Sequence, residues 1–258
     1  MTDMRPLHTN HQAFWRHMAR STGGTHRELP GGALIVATGI AATAYNQLHC
    51  DGADSAAIAE AAAFFDDRGL PWRISGIEPG AAADSFAAAR GVALEPLYPI
   101  MSRAAVGVDP APAGDFTVDV ARTVDDVREF IDCAAASFGH APELIEALAG
   151  PETVADPRFR LYLGRSGGRC VAVSVGVLVP QDGTVGVYFV GVRAESRRRG
   201  FAREVTARAI ADGAGQGAAT AVLQATPAGY PVYTRMGFTH AGDYLLWDFP
   251  RSEAVHAG

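Results

Sequence analysis

Residues 186–202 read Gly186-Val-Tyr-Phe-Val-Gly-Val-Arg-Ala-Glu-Ser-Arg-Arg-Arg-Gly-Phe-Ala202, and they indicate the architecture more strongly than any other part of the chain. The first seven residues are β-branched, aromatic or glycine, which is typical of a buried strand. The three arginines and Gly200 predict a basic turn whose backbone can approach a ligand closely. Apolar residues at helical spacing then predict a helix from Phe201 to about Asp212. The free amides and positive dipole end of that helix favour an anion such as a pyrophosphate before Gly200.

A second strand and a short helix follow. We predict the strand at Ala221-Val-Leu-Gln-Ala-Thr226 and the helix within Gly229-Tyr-Pro-Val-Tyr233-Thr-Arg-Met-Gly237-Phe238. The whole order resembles the GNAT superfamily of acyl-CoA-dependent N-acyltransferases, whose pyrophosphate loop reads Gln/Arg-x-x-Gly-x-Gly/Ala. Arg197, Gly200 and Ala202 match that loop. The loop alone is a short motif, but loop, strand, tyrosine and Gly-Phe at the family's spacing together make a specific signal.

The resemblance implies a coenzyme site on this strand and turn, with acetyl-CoA or another acyl-CoA as co-substrate and no metal. Backbone groups of the strand would pair with the pantetheine arm, and the arginine turn would hold the pyrophosphate, with Arg203 as an addition. The implied coenzyme-binding residues are Val190, Gly191, Val192, Arg197, Arg198, Arg199, Gly200, Phe201, Ala202 and Thr226. The alternative interpretation of three successive arginines is a solvated surface.

The resemblance assigns Tyr233 as the general acid that protonates the departing thiolate of coenzyme A. A free thiol has a pKa of about 8.5 and a phenol of about 10, so this transfer is uphill unless the site assists it. Two alternatives stay open, namely Tyr233 as a core residue and Tyr230 as a competitor three residues earlier. Gly229 replaces the family's usual alanine, close to Thr226, which stands where many members carry a pantetheine-binding asparagine.

The base that takes the amine's proton has no assigned residue on the strand. Many relatives place a glutamate there, but residues 186–192 contain no acidic side chain. The candidates are His140 and Glu143, which lie in the loop and short helix that cover the acceptor cleft in the family. His140 is also suited to the role because histidine titrates near neutral pH. The alternatives are a structural or exposed His140 and an amine that needs no base. Glu195 is expected to pair with the neighbouring arginines.

Composition restricts the class of protein. The 258 residues carry a net charge of −6, which disfavours a nucleic-acid partner bound through clustered cations. All 22 basic residues are arginine, so chemistry that needs a lysine amine is excluded. Three cysteines without metal-type spacing disfavour a disulfide framework and a zinc site. Neither an apolar leader nor a membrane-length apolar stretch is seen, so we expect a cytoplasmic protein without a membrane partner.

A Pro-, Gly- and Ala-rich stretch divides the chain into two halves. We predict a degenerate GNAT-like domain at 1–105, a linker at 106–115 and a GNAT N-acyltransferase domain at 116–258. The predicted fold class is α/β, with a mixed, mostly antiparallel sheet flanked by helices. In the first half, the loop after the strand Tyr45–Cys50 reads Asp51-Gly-Ala-Asp54. Its carboxylates would repel a pyrophosphate, so we expect one coenzyme site per chain.

The second half has a regular order of predicted elements. The sequence predicts a strand at 116–120, helices at 124–138 and 142–148, strands at 159–163 and 170–178 around a turn at 166–168, and a closing strand at 244–249.

The predicted activity is transfer of an acyl group from acyl-CoA to a small amine or amino-acid-like metabolite, by direct attack in a ternary complex. Two alternatives stay open. One is a catalytically silent acyl-CoA-binding module, and the other is a transferase of the same fold that uses an aminoacyl-tRNA donor. The expected partner is a small-molecule amine, and the protein is expected to be a monomer or a homodimer.

Overall fold

The computed structural model describes residues 3–52, 55–78, 80–107, 114–146 and 149–251. The chain falls into two compact units that interleave along the sequence. The first unit comprises Met1–His17 and Pro99–Ala241, and the second comprises Met18–Tyr98 and Gly242–Gly258.

These units differ from the predicted domains 1–105 and 116–258. The N-terminal segment as far as His17 and the segment from Pro99 belong with the second half of the chain, and residues from Gly242 onward belong with the first half. The difference arises because packing between elements, not their order in the chain, defines a compact unit. Most of the predicted linker at 106–115 lies outside the described residues.

The described residues form eleven strands and eight α-helices. The strands are β1 (Thr25–Glu28), β2 (Leu34–Ala37), β3 (Asn46–His49), β4 (Trp72–Gly76), β5 (Tyr98–Ala104), β6 (Thr117–Val120), β7 (Phe159–Ser166), β8 (Arg169–Val179), β9 (Thr184–Val192), β10 (Thr220–Gln224) and β11 (Thr239–Phe249). The helices are α1 (Arg5–Ser21), α2 (Ser55–Asp67), α3 (Gly80–Ala88), α4 (Val124–Phe138), α5 (Pro142–Glu146), α6 (Pro151–Ala155), α7 (Phe201–Ala214) and α8 (Tyr230–Arg235).

The sheet of the first unit has the strand order β5-β10-β9-β8-β7-β6. Its neighbouring strands are antiparallel, except for the parallel pair β9 and β10. β7 and β8 form a long hairpin in which Ser166 pairs with Arg169, so the predicted turn at 166–168 is confirmed. The sheet is therefore mixed and mostly antiparallel, as predicted.

α4 begins and ends where its sequence predicts. Its capping box pairs the Thr123 hydroxyl with the Asp126 amide, and the Asp126 carboxylate with the Thr123 amide. Gly139 ends the helix in the left-handed conformation, at a φ of 68°. The predicted bounds of 124–138 are thus confirmed.

α7 packs closely on the sheet beside β9. A Cβ at Gly213 would lie only 2.5 Å from the side chain of Val185. Val187, Ala209 and Ile210 belong to the apolar core formed there. Phe201 and Val205, in the first half of α7, pack with Val190 and Val192 in a second apolar cluster, which holds the first turn of α7 beside the end of β9.

The second unit has a mixed sheet in the order β1-β2-β3-β4-β11, in which only β3 and β4 run parallel. In its core the Trp72 ring stacks on Phe65 at 5.2 Å and on Phe249 at 4.5 Å. Arg73 makes a bidentate ion pair with Asp248, with nitrogen–oxygen distances of 2.5 and 2.7 Å. Both units therefore combine a mixed sheet with helices.

Several elements differ from the sequence prediction. The sequence does not predict α1, β1 or α6. α5 ends at Glu146, and the last two residues of the predicted 142–148 helix lie outside the described residues. The closing strand β11 begins five residues before the predicted 244. Among the helices that the structure describes, none combines the length and the apolar character needed to cross a membrane.

Candidate active site

β9 and β10 run parallel but separate after a short paired segment. Their register couples Thr184 with Thr220, Val185 with Ala221 and Gly186 with Val222. β9 continues to Val192 and β10 to Gln224, and the register does not extend into these residues, all of which the structure describes. The first unit therefore has an opening between two parallel strands, with residues 187–192 of β9 along one side.

A β-bulge bends β9 at this opening. Two of its residues, Phe189 and Val190, lie opposite the single residue Ser174 of β8. Phe189 has a positive φ of 49°, which is a strained conformation for a large side chain. Val190, Gly191 and Val192, for which the sequence predicts contacts with pantetheine, lie at the bulge and directly after it.

The turn after β9 consists of four exposed residues, 197–200, and leads into the start of α7. Arg198 and Gly200 have positive φ values of 63° and 85°, and Gly200 is the N-cap of α7. A Cβ at Gly200 would meet no atom within 4 Å, so its conformation and not its packing requires glycine. The Glu204 backbone amide donates to the Gly200 carbonyl, while the amides before it have no intrahelical acceptor. This helix start can therefore bind an anion.

The three predicted arginines of the turn have different surroundings. Arg197 donates from Nε to the Val192 carbonyl at 3.2 Å and from Nη2 to the Ser137 carbonyl at 3.1 Å. Its side chain thus ties the turn to β9 and to the end of α4. Arg199 lies over the Phe201 ring at 4.7 Å, and Arg198 is exposed. Arg198 and Arg199 are therefore the guanidinium groups of the turn that best suit a phosphate ligand.

The charges around the turn fit a ligand that carries a pyrophosphate. Of the acidic residues beside it, Glu195 pairs with Arg169 at 3.5 Å and Glu204 pairs with Arg203. The predicted pairing of Glu195 is thus with Arg169 of β8 and not with the arginines of the turn. Both carboxylates are paired locally, so they oppose the positive end of the helix less than unpaired carboxylates would.

Thr226 and Gly229 shape the turn that precedes α8. The Thr226 hydroxyl accepts from the Gly229 amide at 3.1 Å, so it stabilises this turn. A Cβ at Gly229 would lie 2.9 Å from Cε2 of Tyr233 and 3.3 Å from Oγ1 of Thr226. The departure from the family's alanine therefore has a local cause, because the Tyr233 ring occupies the space that a Cβ would need.

Tyr233 is held rigidly within the first unit. Its side chain is 7% exposed and belongs to the apolar core beside Leu223, and its ring contacts Phe238 edge-on at 5.9 Å. Tyr230 on the same helix is half-buried. Both interpretations of Tyr233, as general acid and as core residue, are consistent with this burial, because an acid on a packed ring is well positioned.

His140 follows the C-cap of α4 and is exposed. Its ring stacks on Phe138 with centroids 6.1 Å apart, and Phe138 contacts Phe189 edge-on at 5.6 Å. The structure therefore places His140 two ring contacts from the bulge of β9. Glu143 is exposed on α5.

Sequence reasoning missed the contribution of α1. Asn10 is fully buried and donates to the Val177 carbonyl at 3.1 Å and to Thr184 Oγ1 at 2.9 Å. Its Oδ1 accepts from the Tyr188 hydroxyl at 2.7 Å. A Cβ at Gly186 would lie 2.0 Å from that Oδ1, so glycine is needed there. One buried asparagine thus fixes α1 to β8 and β9.

His11 lies one residue further along α1. Its Nε2 accepts from the Trp15 indole at 3.1 Å, so Nδ1 carries the proton in the neutral ring. Burial and the charge of His8 lower the pKa of His11 to about 3, although the neighbouring Gln224 side chain acts in the opposite sense. Gln224 ends β10, so His11 lies beside the opening as a neutral imidazole. A spacing of apolar residues along α1, at Leu7, Phe14 and Met18, is the sequence signal for this helix.

Comparison with known proteins shows a similarity to acetyltransferases over about half of the chain. Residues 121–241 match the family model of the acetyltransferase (GNAT) domain. A mycothiol acetyltransferase from Streptomyces bingchenggensis is 31% identical over 144 residues, which are 51% of this chain and 45% of that protein. The chain thus spans less than half the length of this relative. The segment matched by the family model contains the opening, the arginine turn and Tyr233, and this segment is similar to the GNAT acetyltransferase domain.

Solved structures agree in fold. A GCN5-related N-acetyltransferase from Kribbella flavida superposes with a TM-score of 0.72 at 17% identity, covering 95% of this chain and 94% of that protein. Another, from Sphaerobacter thermophilus, gives a TM-score of 0.61 at 17% identity, covering 86% and 78%. At these identities the likeness concerns the fold alone.

Proposed function

We propose that this protein is an acyl-CoA-dependent N-acyltransferase that moves an acetyl group from acetyl-CoA to a small amine or amino-acid-like metabolite. The observation that carries the proposal is the opening between β9 and β10, which leads directly to the glycine-capped start of α7. An extended ligand with an anionic end matches this combination of an unpaired strand edge and an anion-binding turn. The family supports acetyl-CoA as the donor, and the name of the curated relative supports acetyl as the group transferred.

The coenzyme would be held by backbone and by charge. Val190, Gly191 and Val192 offer peptide groups beside the bulge, and Thr226 lies near the end of β10. The amides of Phe201 and Ala202 would bind the pyrophosphate together with the exposed Arg198 and Arg199, while Arg197 keeps the turn in place.

Bound acetyl-CoA supplies an activated thioester. The amine nitrogen of the acceptor forms a bond with the acetyl carbon, and the bond from that carbon to sulfur breaks. Tyr233 gives its phenol proton to the departing sulfur, and it is reprotonated from solvent. The proton of the attacking amine goes to His140 or to water. The buried, packed ring of Tyr233 supports this role because its position is fixed before substrate arrives.

Direct transfer is favoured over a covalent acyl-enzyme. Cys50, Cys133 and Cys170 are the cysteines of the chain, and each is at most 1% exposed. Burial and the charge of Asp51 also raise the pKa of the Cys50 thiol to about 12. The chain has no lysine that could serve as an alternative nucleophile.

A calorimetric titration with acetyl-CoA, followed by a thiol-release assay with a panel of primary amines, tests the proposal. We expect one site per chain and release of free coenzyme A only when an amine is present. Binding without thiol release for any amine would support the silent module. A protein that binds no acyl-CoA would have to use another donor, such as an aminoacyl-tRNA. The acceptor is proposed as a small molecule, with the protein acting as a monomer or a homodimer.

A further inference from the structure

Aromatic rings follow the face of β9 that is opposite α7. The Phe138 ring contacts Phe189 edge-on at 5.6 Å, and Phe189 contacts Phe14 of α1 at 5.9 Å. Phe14 in turn stacks on Tyr188 at 4.5 Å, with the two ring planes 18° apart. The four rings form a continuous row from α4, across the bulge, to α1. We call this row the aromatic wall.

The two faces of β9 have different partners. Val185 and Val187 belong to the core shared with α7, whose first turn is the anion-binding end. Tyr188 and Gly191 instead meet α1 and the end of α4. The aromatic wall therefore lies on the side of the strand away from the proposed pyrophosphate site. It reaches the bulge, where β9 is no longer in register with β10 and its pairing with β8 is interrupted. That side is where the acceptor has to approach if the donor enters from α7.

Gly191 lets the Phe138 ring lie against the strand. A Cβ at Gly191 would be 3.1 and 3.2 Å from two atoms of that ring and 2.9 Å from Cβ of Ser137. Phe138 is thus seated on the backbone of β9, next to the residues proposed to hold the thioester. The side chain is nevertheless 39% exposed, so part of its ring is accessible to a ligand.

Phe189 has a strained backbone conformation, and its ring lies at the centre of the aromatic wall. Its φ of 49° is energetically unfavourable for a bulky residue, and such positions cluster at functional sites. The bulge turns its ring toward Phe14 and Phe138, where it is half-buried. Strain, partial exposure and ring contacts coincide at the same residue of the opening.

We propose that Phe138 and Phe189 form the acceptor subsite and that the acceptor is a primary amine carried on an aromatic body. This inference rests on the proposed function. An aromatic acceptor can add its ring edge-on or offset to the exposed side of Phe138, as aromatic pairs prefer. The His140 ring stacks on Phe138 and supplies a polar group beside this subsite.

The acceptor preference is tested with 2-phenylethylamine and 2-methoxyethylamine, which both carry a primary amine two carbons from the substituent. We expect kcat/KM to be about 10-fold or more higher for the phenyl compound, since one well-fitted apolar group changes specificity by this order. Phe138→Ala should lower kcat/KM for 2-phenylethylamine about 10-fold while changing that for 2-methoxyethylamine less than about twofold. The control is Val124→Ala, because Val124 is an exposed apolar residue at the other end of α4, 67% accessible. Equal kcat/KM values for the two amines in the wild type would overturn the inference.

A binding measurement separates this inference from the proposed function. Saturation-transfer NMR with the wild type and Phe138→Ala, each saturated with coenzyme A, reports whether 2-phenylethylamine contacts the protein. Contact that is lost in Phe138→Ala supports the subsite even where no acetyl transfer is seen, in which case the proposed function alone fails. Identical transfer signals in the two proteins, alongside normal acetyl-CoA binding, would leave the proposed function standing and remove the aromatic subsite.

Discussion

Among the described residues, each unit contains one parallel pair of strands, and the two pairs end differently. In the second unit, β3 stays paired with β4 to its last residue, where His49 is in register with Ser75. Backbone bonds then continue past the strand, from the Cys50 amide to the Ser75 carbonyl at 3.0 Å. In the first unit, the register of β9 with β10 ends at Gly186, six residues before β9 itself ends. A parallel pair by itself therefore does not create an opening, and the bulge at Phe189 marks the difference.

The turns after the two pairs differ in the same sense. Asp51 accepts from the amides of Ile77 and Glu78, at 2.9 and 3.4 Å, so its carboxylate satisfies backbone donors within the second unit. Asp54, the second carboxylate that the sequence predicts would repel a pyrophosphate in this loop, lies outside the described residues. After β9, the corresponding donors at the start of α7 remain available to a ligand. The comparison leads us to keep the prediction of one coenzyme site per chain.

The largest expected effect comes from a substitution in the turn between β9 and α7. Gly200→Glu should lower the affinity for acetyl-CoA roughly 100-fold or more, because a carboxylate would face the pyrophosphate at short range. Gly52→Glu is the matched control, since Gly52 also has a positive φ, 61°, and no atom within 4 Å of its Cβ position. Both variants carry the same backbone strain and charge change, and calorimetry compares their affinities. A similar loss in Gly52→Glu would place the coenzyme site elsewhere or show two sites.

The next effect concerns the chemistry beyond the opening. Tyr233→Phe should lower kcat about 100-fold, the order expected when a positioned proton donor is lost, while the Kd for acetyl-CoA stays unchanged. The phenyl ring keeps the packing against Phe238 and the fit beside Gly229. Tyr230→Phe on the same helix is the control and should keep most of the activity. If Tyr230→Phe loses the activity and Tyr233→Phe does not, the two tyrosines exchange roles.

A third prediction concerns α1, which packs against β9 in the first unit. The pKa of His11 is 6.5 in a free chain and is lowered to about 3 by burial in the folded protein. Between these values the unfolded chain binds the proton more readily, so folding stability is full above pH 6.5 and falls as the pH drops. The slope approaches about 1.4 kcal/mol per pH unit for this one group.

Urea unfolding of the wild type and of His11→Gln, from pH 7.5 down to pH 5, measures that slope. Glutamine can still accept from the Trp15 indole, so the contact at Nε2 is partly kept. We expect the unfolding free energy of His11→Gln to depend less on pH than that of the wild type. Parallel curves for the two proteins would mean that His11 is accessible to protons in the folded state.

Sequence and structure agree where local rules decide the outcome. The capping box at Thr123 and the glycine at 139 define α4, and the two glycines at 167 and 168 define the β7–β8 turn. α1 is harder to predict because polar side chains are buried between its apolar residues, which obscures the helical pattern. Asn10 is buried, but its partners lie 167 to 178 residues away in the sequence.

The candidate site divides in the same way. The turn around Gly200 and the position of Tyr233 can be predicted from short sequence motifs, because these motifs depend on residues that are close together in the chain. The aromatic wall cannot, because the strand pairing that leaves Phe189 without a partner on β8 determines where its ring points. The register of a bulge depends on the neighbouring strands, so no local pattern in residues 186–192 predicts that Phe138 and Phe14 both contact Phe189.

The smallest expected effect concerns Gly229, which lies next to Tyr233 in the first unit. This glycine has an ordinary helical φ of −79°, so alanine is allowed by the backbone, but its Cβ would lie 2.9 Å from the Tyr233 ring. Gly229→Ala should therefore displace the ring by a few tenths of an ångström and lower kcat about threefold to 10-fold, with stability reduced by about 1 kcal/mol.

Gly215→Ala at the end of α7 is the matched control, because its Cβ would make only ordinary contacts, at 3.4 and 3.6 Å. It should leave kcat unchanged and stability equal or slightly higher. Since Gly229→Ala keeps both the phenol and the arginine turn, a lower kcat with unchanged acetyl-CoA affinity would show that the position of Tyr233, and not only its presence, matters for transfer. An unchanged kcat would mean that the ring adapts without cost, which argues for the structural interpretation of Tyr233.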